Sequence, residues 1–340
     1  MSPFSTPTWT TSGKIRFFKM NDKTKSILKN SVKFVLFATA LYFAGRQLSK
    51  NWSEALAYDW ELNYPYLLIS MILQIVTLAM FSKSWCTVLE AIGFKIKFWR
   101  GFKISYLANL GRYLPGKFWQ LFGMIYLLKE VNVGKKAAFS SWALSWIYGL
   151  PPAFLLCGIA ALSYDKLLSD LVGGIFNNVY YIIAFIAIIF GSSVLFIFIP
   201  DYSIKFLNFI LKLLKREKIA FKFEKIKAFK IYAFYFIAWI IYGLAFFFLL
   251  KGLDSSSNVP FMVGLGSFVL AYVVGLLALF SPGGLGVREL ILISLLTPYF
   301  GAISSGIVLA ARIWSLVAEF FTAGIALIIH LRERDSKNEG

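Results

Sequence analysis

The sequence predicts an all-α, polytopic membrane protein: a helical bundle of about eight transmembrane helices, with one re-entrant helical hairpin and one short broken span. Of its 340 residues, 59% are apolar and only 15% are charged, whereas soluble domains are roughly 45–50% apolar. The mean hydropathy is +0.70. Six windows are long enough, as helices, to cross a hydrocarbon core about 30 Å thick: Tyr64 to Ser82, Ala137 to Leu162, Val179 to Ile199, Ile231 to Leu250, Phe261 to Phe280 and Ile303 to Ile329.

The apolar run from Phe34 to Gly45 is predicted to be an uncleaved first span. Its basic leader is too long for a signal peptide, and Arg46 and Gln47 stand where a cleavage site would have small residues. The leader is rich in lysine, whereas the loop of residues 46–63 carries more acidic than basic residues. The positive-inside rule therefore places a basic segment, residues 1–31, in the cytoplasm.

Residues 101–128 are predicted to form a re-entrant hairpin. The cationic segments 83–103 and 129–136 are both assigned to the inside, so an even number of crossings must separate them. About 25 residues are too few for two full crossings. The hairpin would enter from the cytoplasm and turn at Tyr113 to Gly116, in "NLGRYLPGKFWQ". Irregular backbone at such depth is tolerated only where it is buried in protein or lines a wet cavity.

A basic amphipathic segment, residues 201–230, is predicted on the cytoplasmic side. Residues 205–230 contain nine cations against Glu217 and Glu224. The apolar residues recur at helical spacing, which suits a helix on the anionic inner leaflet. A solvated cytoplasmic linker helix remains an equal alternative. The tail, residues 332–340, is also assigned inside, so both termini are expected in the cytoplasm of a plasma (inner) membrane protein.

A short broken span is predicted at residues 281–298, which begin with "SPGGLGVREL". Ser281 is a good N-cap and Pro282 suits the first helical turn. A helix N-terminus of this kind is an anion site, and the glycines allow a ligand close to the backbone. Glycines that only permit tight helix packing are the alternative. A dinucleotide-binding motif is excluded because no βαβ unit surrounds the glycines.

Each half of the chain thus has a Pro-Gly break flanked by cations, a pattern typical of a transporter's central site. Charges placed in a membrane are costly, so unforced ones are usually functional. The arginines and Lys117 are expected to contact phosphate oxygens, and the acidic residues to balance charge or to bind a cationic group. An ion pair that only fixes packing is the alternative for Arg312 and Glu319. The predicted substrate-binding residues are Asn109, Arg112, Pro115, Gly116, Lys117, Trp119, Gln120, Ser281, Pro282, Gly283, Gly284, Gly286, Arg288, Glu289, Arg312 and Glu319.

Three stretches carry a family resemblance: "GRYLPGKFWQ", "PGGLGVRE", and "AARIWSL" with Arg312. Together they resemble the transmembrane domain of the lysyl-phosphatidylglycerol synthetase/flippase family, often called flippase-like, over about residues 32–331. The resemblance implies movement of aminoacylated phospholipid between leaflets, or a role in lipid or lipid-linked glycan export. Full-length members carry a soluble aminoacyl-transferase domain, whereas this chain ends nine residues after Leu331. The synthetic activity is therefore not expected here.

No catalytic residue, metal site or cofactor is predicted, because the chain has one histidine, His330, and lacks the common hydrolase and nucleotide-binding motifs. Nucleic acid is excluded as a partner, since the cations flank membrane spans. The expected function is a lipid translocase, or an accessory protein of one, for an anionic phospholipid or a polyprenyl phosphate. The alternatives are a membrane glycosyl- or phospho-transferase that uses Glu54, Asp59 or Glu61, and a scaffold of a glycan or lipid assembly complex. Homo-oligomers and partners in glycan or lipid biosynthesis remain open.

Overall fold

A computed structural model describes residues 58, 60–113, 119–162, 179–213, 217–221, 223–278 and 281–338. Within those ranges the regular structure is helical throughout, with three short 3₁₀ turns at Leu110–Tyr113, Pro282–Gly284 and Gly301–Ile303. The α-helices are α1 (Tyr64–Ala91), α2 (Phe98–Asn109), α3 (Trp119–Lys129), α4 (Lys135–Ala161), α5 (Val179–Phe198), α6 (Asp201–Leu213), α7 (Lys225–Leu253), α8 (Phe261–Leu277), α9 (Val287–Phe300) and α10 (Ser304–Asn338).

Five helical stretches of the described residues are long and apolar enough to cross a membrane. They are α1, α4, α5, α7 and the α9–α10 stretch, and α8 is a shorter apolar helix. The prediction of an all-α, multi-pass membrane bundle is confirmed. The predicted first span, Phe34 to Gly45, lies outside the described residues.

The centre of the bundle is an antiparallel pair formed by α1 and α7. The Asn63 amide donates to the Gly252 carbonyl at 2.9 Å, and the Ser70 hydroxyl donates to the Ala245 carbonyl at 2.7 Å. A Cβ on Gly252 would lie 2.9 Å from the Leu67 amide nitrogen, so this glycine permits the close approach of the two helices. The start of α1 and the end of α7 are therefore at the same end of the bundle.

Two large apolar clusters fill the bundle. One lies among α7, α8, α9 and α10, and the other joins the end of α1 to α2, α4, α6 and the start of α7. A third, smaller cluster lies between α1, α2 and α10 and includes Leu78, Phe102 and Ala318. The candidate site described below borders the first cluster.

Helices α2 and α3 form a hairpin inside the bundle. With 12 and 11 residues, each helix is about 18 Å long or less, too short to cross a 30 Å core. A Cβ on Gly123 would lie 3.3 Å from the Ala108 Cα, so the two helices pack tightly. Helix α2 also packs against α1 and α10, and α3 packs against α4. Of the predicted tip, Tyr113 to Gly116, only Tyr113 is among the described residues.

The predicted N-cap at Ser281 is wrong, because α9 begins at Val287 with Gly286 as its N-cap. Ser281 instead precedes the 3₁₀ turn, and its hydroxyl donates to the Leu285 carbonyl at 2.6 Å. Gly283, Gly284 and Gly286 have φ angles of 59°, 76° and 81°. Such left-handed backbone cannot continue a right-handed helix, so the helix starts only after the glycines.

Two other predicted boundaries are also corrected. Helix α9 runs through Pro298 and ends at Phe300, two residues beyond the predicted end of the broken span. Proline is tolerated inside membrane helices when the surroundings satisfy the freed carbonyl. The basic segment 201–230 is not one helix: α6 ends at Leu213, the described residues between 217 and 224 have no regular secondary structure, and α7 starts at Lys225.

Candidate functional site

Two 3₁₀ turns beside the Pro-Gly breaks of the sequence lie together in the fold. The 3₁₀ turn Leu110–Tyr113, at the end of α2, contacts the 3₁₀ turn Pro282–Gly284, which precedes α9. A Cβ on Gly111 would meet the Gln120 backbone nitrogen at 2.7 Å, so α3 also begins against the first turn. The end of α2 therefore lies beside the turn that leads into the short helix α9.

The glycine turn before α9 packs closely against α8. A Cβ on Gly284 would lie 3.1 Å from backbone atoms of Gly275, a tight contact that requires the neighbouring helix to shift by a few tenths of an ångström. Gly284 also has φ +76°, which favours glycine independently of space. The tight-packing role considered for these glycines is thus realised at Gly284.

Arg288 is buried in the bundle, with 6% of its surface exposed. Its guanidinium lies over the rings of Phe268 and Tyr272, at 4.4 Å and 4.9 Å from the centroids. Its Nη2 is 3.5 Å from the Ser315 hydroxyl. No carboxylate of the described residues contacts it. Two aromatic faces of α8 therefore support the Arg288 charge, and nothing in the described chain neutralises it.

Each carboxylate oxygen of Glu289 contacts a positively charged or positively polarised group. Its Oε2 accepts the Gly286 amide at 2.7 Å, which caps the start of α9. Its Oε1 lies 3.5 Å from Arg312 Nη1 on α10, with the two side chains 18% and 15% exposed. The carboxylate thus sits where a free anion at this helix N-terminus would be placed.

A small cavity joins these charged residues. It measures about 10 Å³, room for roughly one water molecule. The residues that line it come from α8, α9 and α10: Phe268, Arg288, Glu289, Leu292, Val308, Ala311 and Arg312. A phosphate group does not fit without rearrangement, so this conformation is closed to a headgroup.

A row of polar side chains follows one face of α10, from Arg312 at the cavity towards the C-terminus of the helix. Arg312, Ser315, Glu319 and Thr322 follow one another at spacings of three, four and three residues, which puts them on one face. Ser315, Glu319 and Thr322 are at most 8% exposed. The row extends over about 15 Å of helix. Helix α2 packs against α10 as well.

The remaining predicted residues are placed as follows. Asn109 is half-buried and ends α2, Trp119 is exposed at the start of α3, and Gln120 is half-buried beside it. The backbones of Arg112 and Pro282 belong to the two contacting turns, and their side chains are outside the description. Pro115, Gly116 and Lys117 lie outside the described residues.

Three site residues were missed from sequence. Phe268 and Tyr272 look like ordinary apolar-helix aromatics, although their spacing of four places both on one face of α8. Ser315 is three residues after Arg312, and this helical spacing could have pointed to it.

The arrangement combines a helix N-terminus, two arginines and one carboxylate, a set of groups whose net positive charge can bind an oxyanion. Among the described residues no group of three His, Cys, Asp or Glu side chains lies close enough to hold a metal ion. A search of curated proteins returned no match for the chain. The model of the family described as lysylphosphatidylglycerol synthase TM region matches residues 30–326. The chain therefore belongs to this family of multi-pass membrane proteins, whose name connects it with membrane lipid.

Proposed function

We propose that this protein is a lipid translocase, or the membrane subunit of one, for lipids with an anionic phosphate headgroup. The observation that carries the proposal is Arg288, a buried cation with aromatic partners and no described carboxylate partner. It stands one residue inside the N-terminus of α9. Both features attract an anion, and they act at the same place.

The energies favour an arginine that keeps its charge. Inserting an arginine at the centre of a membrane helix costs about 2.5–3.5 kcal/mol on insertion scales. A desolvated cation–π contact returns up to about 2 kcal/mol, and Arg288 has two of them. The rings of Phe268 and Tyr272 therefore support the charge without neutralising it, which leaves the guanidinium able to bind phosphate oxygens.

In this proposal the Glu289 carboxylate occupies the position that the phosphate of the substrate would take. The carboxylate occupies the Gly286 amide and Arg312, the two groups that a phosphate would use. An incoming headgroup would displace it, as one oxyanion replaces another. The contacts released by Glu289 would then be remade to the phosphate, and Arg288 would add its own.

The lengths of the helices support a site deep in the bilayer. Arg312 is the ninth residue of α10, about 12 Å from its start. Helix α2, of 12 residues, reaches about 18 Å, slightly more than half of a 30 Å core. A hairpin that enters from the cytoplasm would thus bring its tip near the midplane, where it meets the glycine turn. Both termini would be cytoplasmic, in a plasma membrane protein.

The mechanism follows from the closed cavity. Its present volume of about 10 Å³ admits no phosphate, so the side chains of α8, α9 and α10 that line it have to move apart to admit one. The headgroup would then pass along the polar row of α10 while the lipid tails stay in the hydrocarbon. This route uses Arg312, Ser315, Glu319 and Thr322 as successive polar contacts.

The test is a proteoliposome assay in which headgroup-labelled lipids are followed from one leaflet to the other. The wild-type protein is expected to move an anionic phospholipid or a polyprenyl phosphate. Arg288→Met should lower the rate at least tenfold. Arg288→Lys should retain part of it, because the charge stays while the planar stacking and paired hydrogen bonds are lost. Lys230→Met, which removes an exposed cation from α7, is the matched control and should leave the rate unchanged.

Two results would refute the proposal. One is the absence of movement of every anionic lipid tested by folded wild-type protein. The other is an unchanged rate in folded Arg288→Met. The transferase alternative has less support: of its three candidate carboxylates only Glu61 is described, and it accepts a hydrogen bond from Ser255 at 3.2 Å on an exposed loop.

A further inference from the structure

Helix α6 has three distinct faces. Its first row is buried against the bundle and contains Ser203, Ile204, Leu207 and Leu211. Its second row is exposed and apolar, with Tyr202, Phe206, Phe209 and Leu213 exposed by 42%, 47%, 56% and 68%. Its third row is polar and consists of Asp201, Lys205, Asn208 and Lys212. With about 100° per residue, the three rows point in directions roughly 100–140° apart.

The buried row fixes α6 to the bundle. The Tyr148 hydroxyl of α4 donates to the Ser203 hydroxyl at 3.1 Å, and Leu207 and Leu211 belong to the second apolar cluster. The helix therefore does not need its other apolar row to pack against the protein. That second row remains uncovered by the described part of the chain, and it must meet another apolar phase.

The polar row holds the chain that follows α6. The Asn208 side chain both donates to the Ile219 carbonyl and accepts the Ile219 amide, each at 2.8 Å. Glu217 forms an ion pair with Lys136 at the start of α4. The hydrogen bond from the Lys136 ammonium holds the pKa of the Glu217 carboxyl below its ordinary value. Ile219 is thus held against the polar row of α6.

We infer that α6 lies at the junction of protein, lipid and water, and that its exposed face docks onto the anionic lipid surface of the membrane. Lipid is the one occupant that fits both exposed rows, because the aromatic row needs an apolar phase and the adjacent lysines need anionic groups at its edge. Lys205 and Lys212, seven residues apart, border the aromatic row along most of its length, and the Lys205 ammonium already lies 4.7 Å from the Tyr202 ring centroid. A solvated linker would leave four large apolar side chains in water. This inference does not depend on the proposed translocase function.

The depth test uses the full-length protein in nanodiscs that contain phosphatidylglycerol. Single nitroxide labels are placed at Phe206→Cys or Phe209→Cys, and at Lys212→Cys for comparison. The two natural cysteines, Cys86 and Cys157, are buried. The labels at residues 206 and 209 are expected to relax severalfold more with oxygen than with a water-soluble nickel chelate. The label at residue 212 should show the reverse.

Each other outcome overturns the inference. Equal exposure of all three labels to the nickel chelate would mean that α6 is a solvated linker. Labels at residues 206 and 209 that neither reagent reaches would mean that a protein, either a partner or a second copy of this chain, covers the row.

The charge test measures which lipid gathers at α6. A bimane fluorophore on Phe209→Cys is quenched by doxyl-labelled phosphatidylglycerol or by doxyl-labelled phosphatidylcholine, each as a minor component. Quenching by the anionic lipid is expected to be about twofold stronger, since lysines near a membrane surface attract anionic lipids without binding a single one tightly. The difference should vanish in Lys205→Gln/Lys212→Gln and persist in Lys129→Gln/Lys135→Gln, an exposed pair outside α6. Equal quenching by both lipids in the unsubstituted background would refute the anionic preference.

Discussion

Replacing Glu289 by glutamine separates the two roles that its carboxylate can have. Glutamine has nearly the same shape and can still accept the Gly286 amide, but it has no charge to pair with Arg312. If Glu289 only fixes packing, the substitution weakens the protein and does nothing favourable for a ligand. If Glu289 holds the place of an anion, the substitution weakens the empty protein and strengthens anion binding.

The size of the stability loss follows from the two contacts. At 3.5 Å between Arg312 and Glu289, the gross attraction with an effective dielectric constant near 20 is about 5 kcal/mol. Desolvation and partial exposure reduce the net value to about 1–2 kcal/mol. Exchanging a charged for a neutral acceptor at the Gly286 amide costs about 1 kcal/mol more. The expected loss of stability is therefore about 2–3 kcal/mol.

The expected gain in binding comes from removing a competitor. A phosphate at the start of α9 would no longer need to displace a carboxylate or remain close to it. A net relief of about 1.4 kcal/mol corresponds to tenfold tighter binding. We therefore expect the dissociation constant for an anionic headgroup to fall about tenfold in Glu289→Gln.

The assay is thermal unfolding of the purified protein in detergent, titrated with a short-chain phosphatidylglycerol. A ligand that binds only the folded state raises the unfolding temperature with concentration, and the midpoint of that rise gives the affinity. Without ligand, Glu289→Gln should unfold several degrees below wild type. The ligand should then raise the unfolding temperature of Glu289→Gln by more than it raises that of wild type. Glu61→Gln, at an exposed loop, is the control. A smaller ligand-induced gain in Glu289→Gln than in wild type would refute the place-holding role.

Two further experiments test the surroundings of the site by thermal unfolding. Gly284→Ala should lower the free energy of unfolding by at least about 2 kcal/mol, because it combines the strain of a positive φ with a tight contact to α8. Gly301→Ala is the control, since Gly301 has φ +55° but open space around it. This variant should lose only the strain, about 1 kcal/mol. Equal losses would mean that the close approach at Gly284 is unimportant. Phe268→Leu and Arg288→Met should show a coupling of about 1 kcal/mol in a double-mutant cycle, since the ring supports the guanidinium. If the two stability losses were simply additive, the Phe268 ring would not stabilise the Arg288 guanidinium.

The membrane helices were largely predictable because each is a long apolar run. The predicted windows 179–199 and 261–280 agree closely with α5, which ends at Phe198, and α8, which ends at Leu277. Hydropathy did not predict the helix ends where a helix extends beyond the apolar phase. Helix α1 continues nine residues beyond Ser82, and α7 begins six residues before Ile231. A helix can extend into water with polar residues, so the hydrophobic limits mark the membrane and not the helix ends.

The start of α9 was not predictable from local signals. Ser281 and Gly286 are both acceptable N-caps, and the sequence alone gave Ser281 and Pro282 the stronger claim. The decision is made by packing, because the left-handed turn brings Gly284 against Gly275 of another helix. Contacts between residues nine positions apart across a break leave no periodic signal in the sequence.

The partners of the buried charges were also beyond sequence reasoning. The spacing of seven between Arg312 and Glu319 was visible, but the structure pairs Arg312 with Glu289 on a different helix. Arg288 and Glu289 are adjacent in sequence and yet serve different partners, one the rings of α8 and the other an arginine of α10. Neighbours in a helix point about 100° apart, so each reaches a different element of the bundle.

Arg288 and Arg312 differ in their partners, and this difference predicts which class of phosphate headgroup the site prefers. Arg312 is balanced by Glu289, whereas among the described residues Arg288 contacts two rings and a hydroxyl. The three charged groups that line the cavity therefore carry a net charge of +1, from two arginines and one carboxylate. A monoanionic phosphodiester would bring this set to neutrality, while a dianionic phosphomonoester would leave an excess negative charge in a medium that penalises it. The thermal titration with a phosphodiester lipid should therefore give the lower dissociation constant of the two. In Glu289→Gln the net charge of the same groups rises to +2, so the preference should shift towards the phosphomonoester, a reversal that simple loss of packing does not produce.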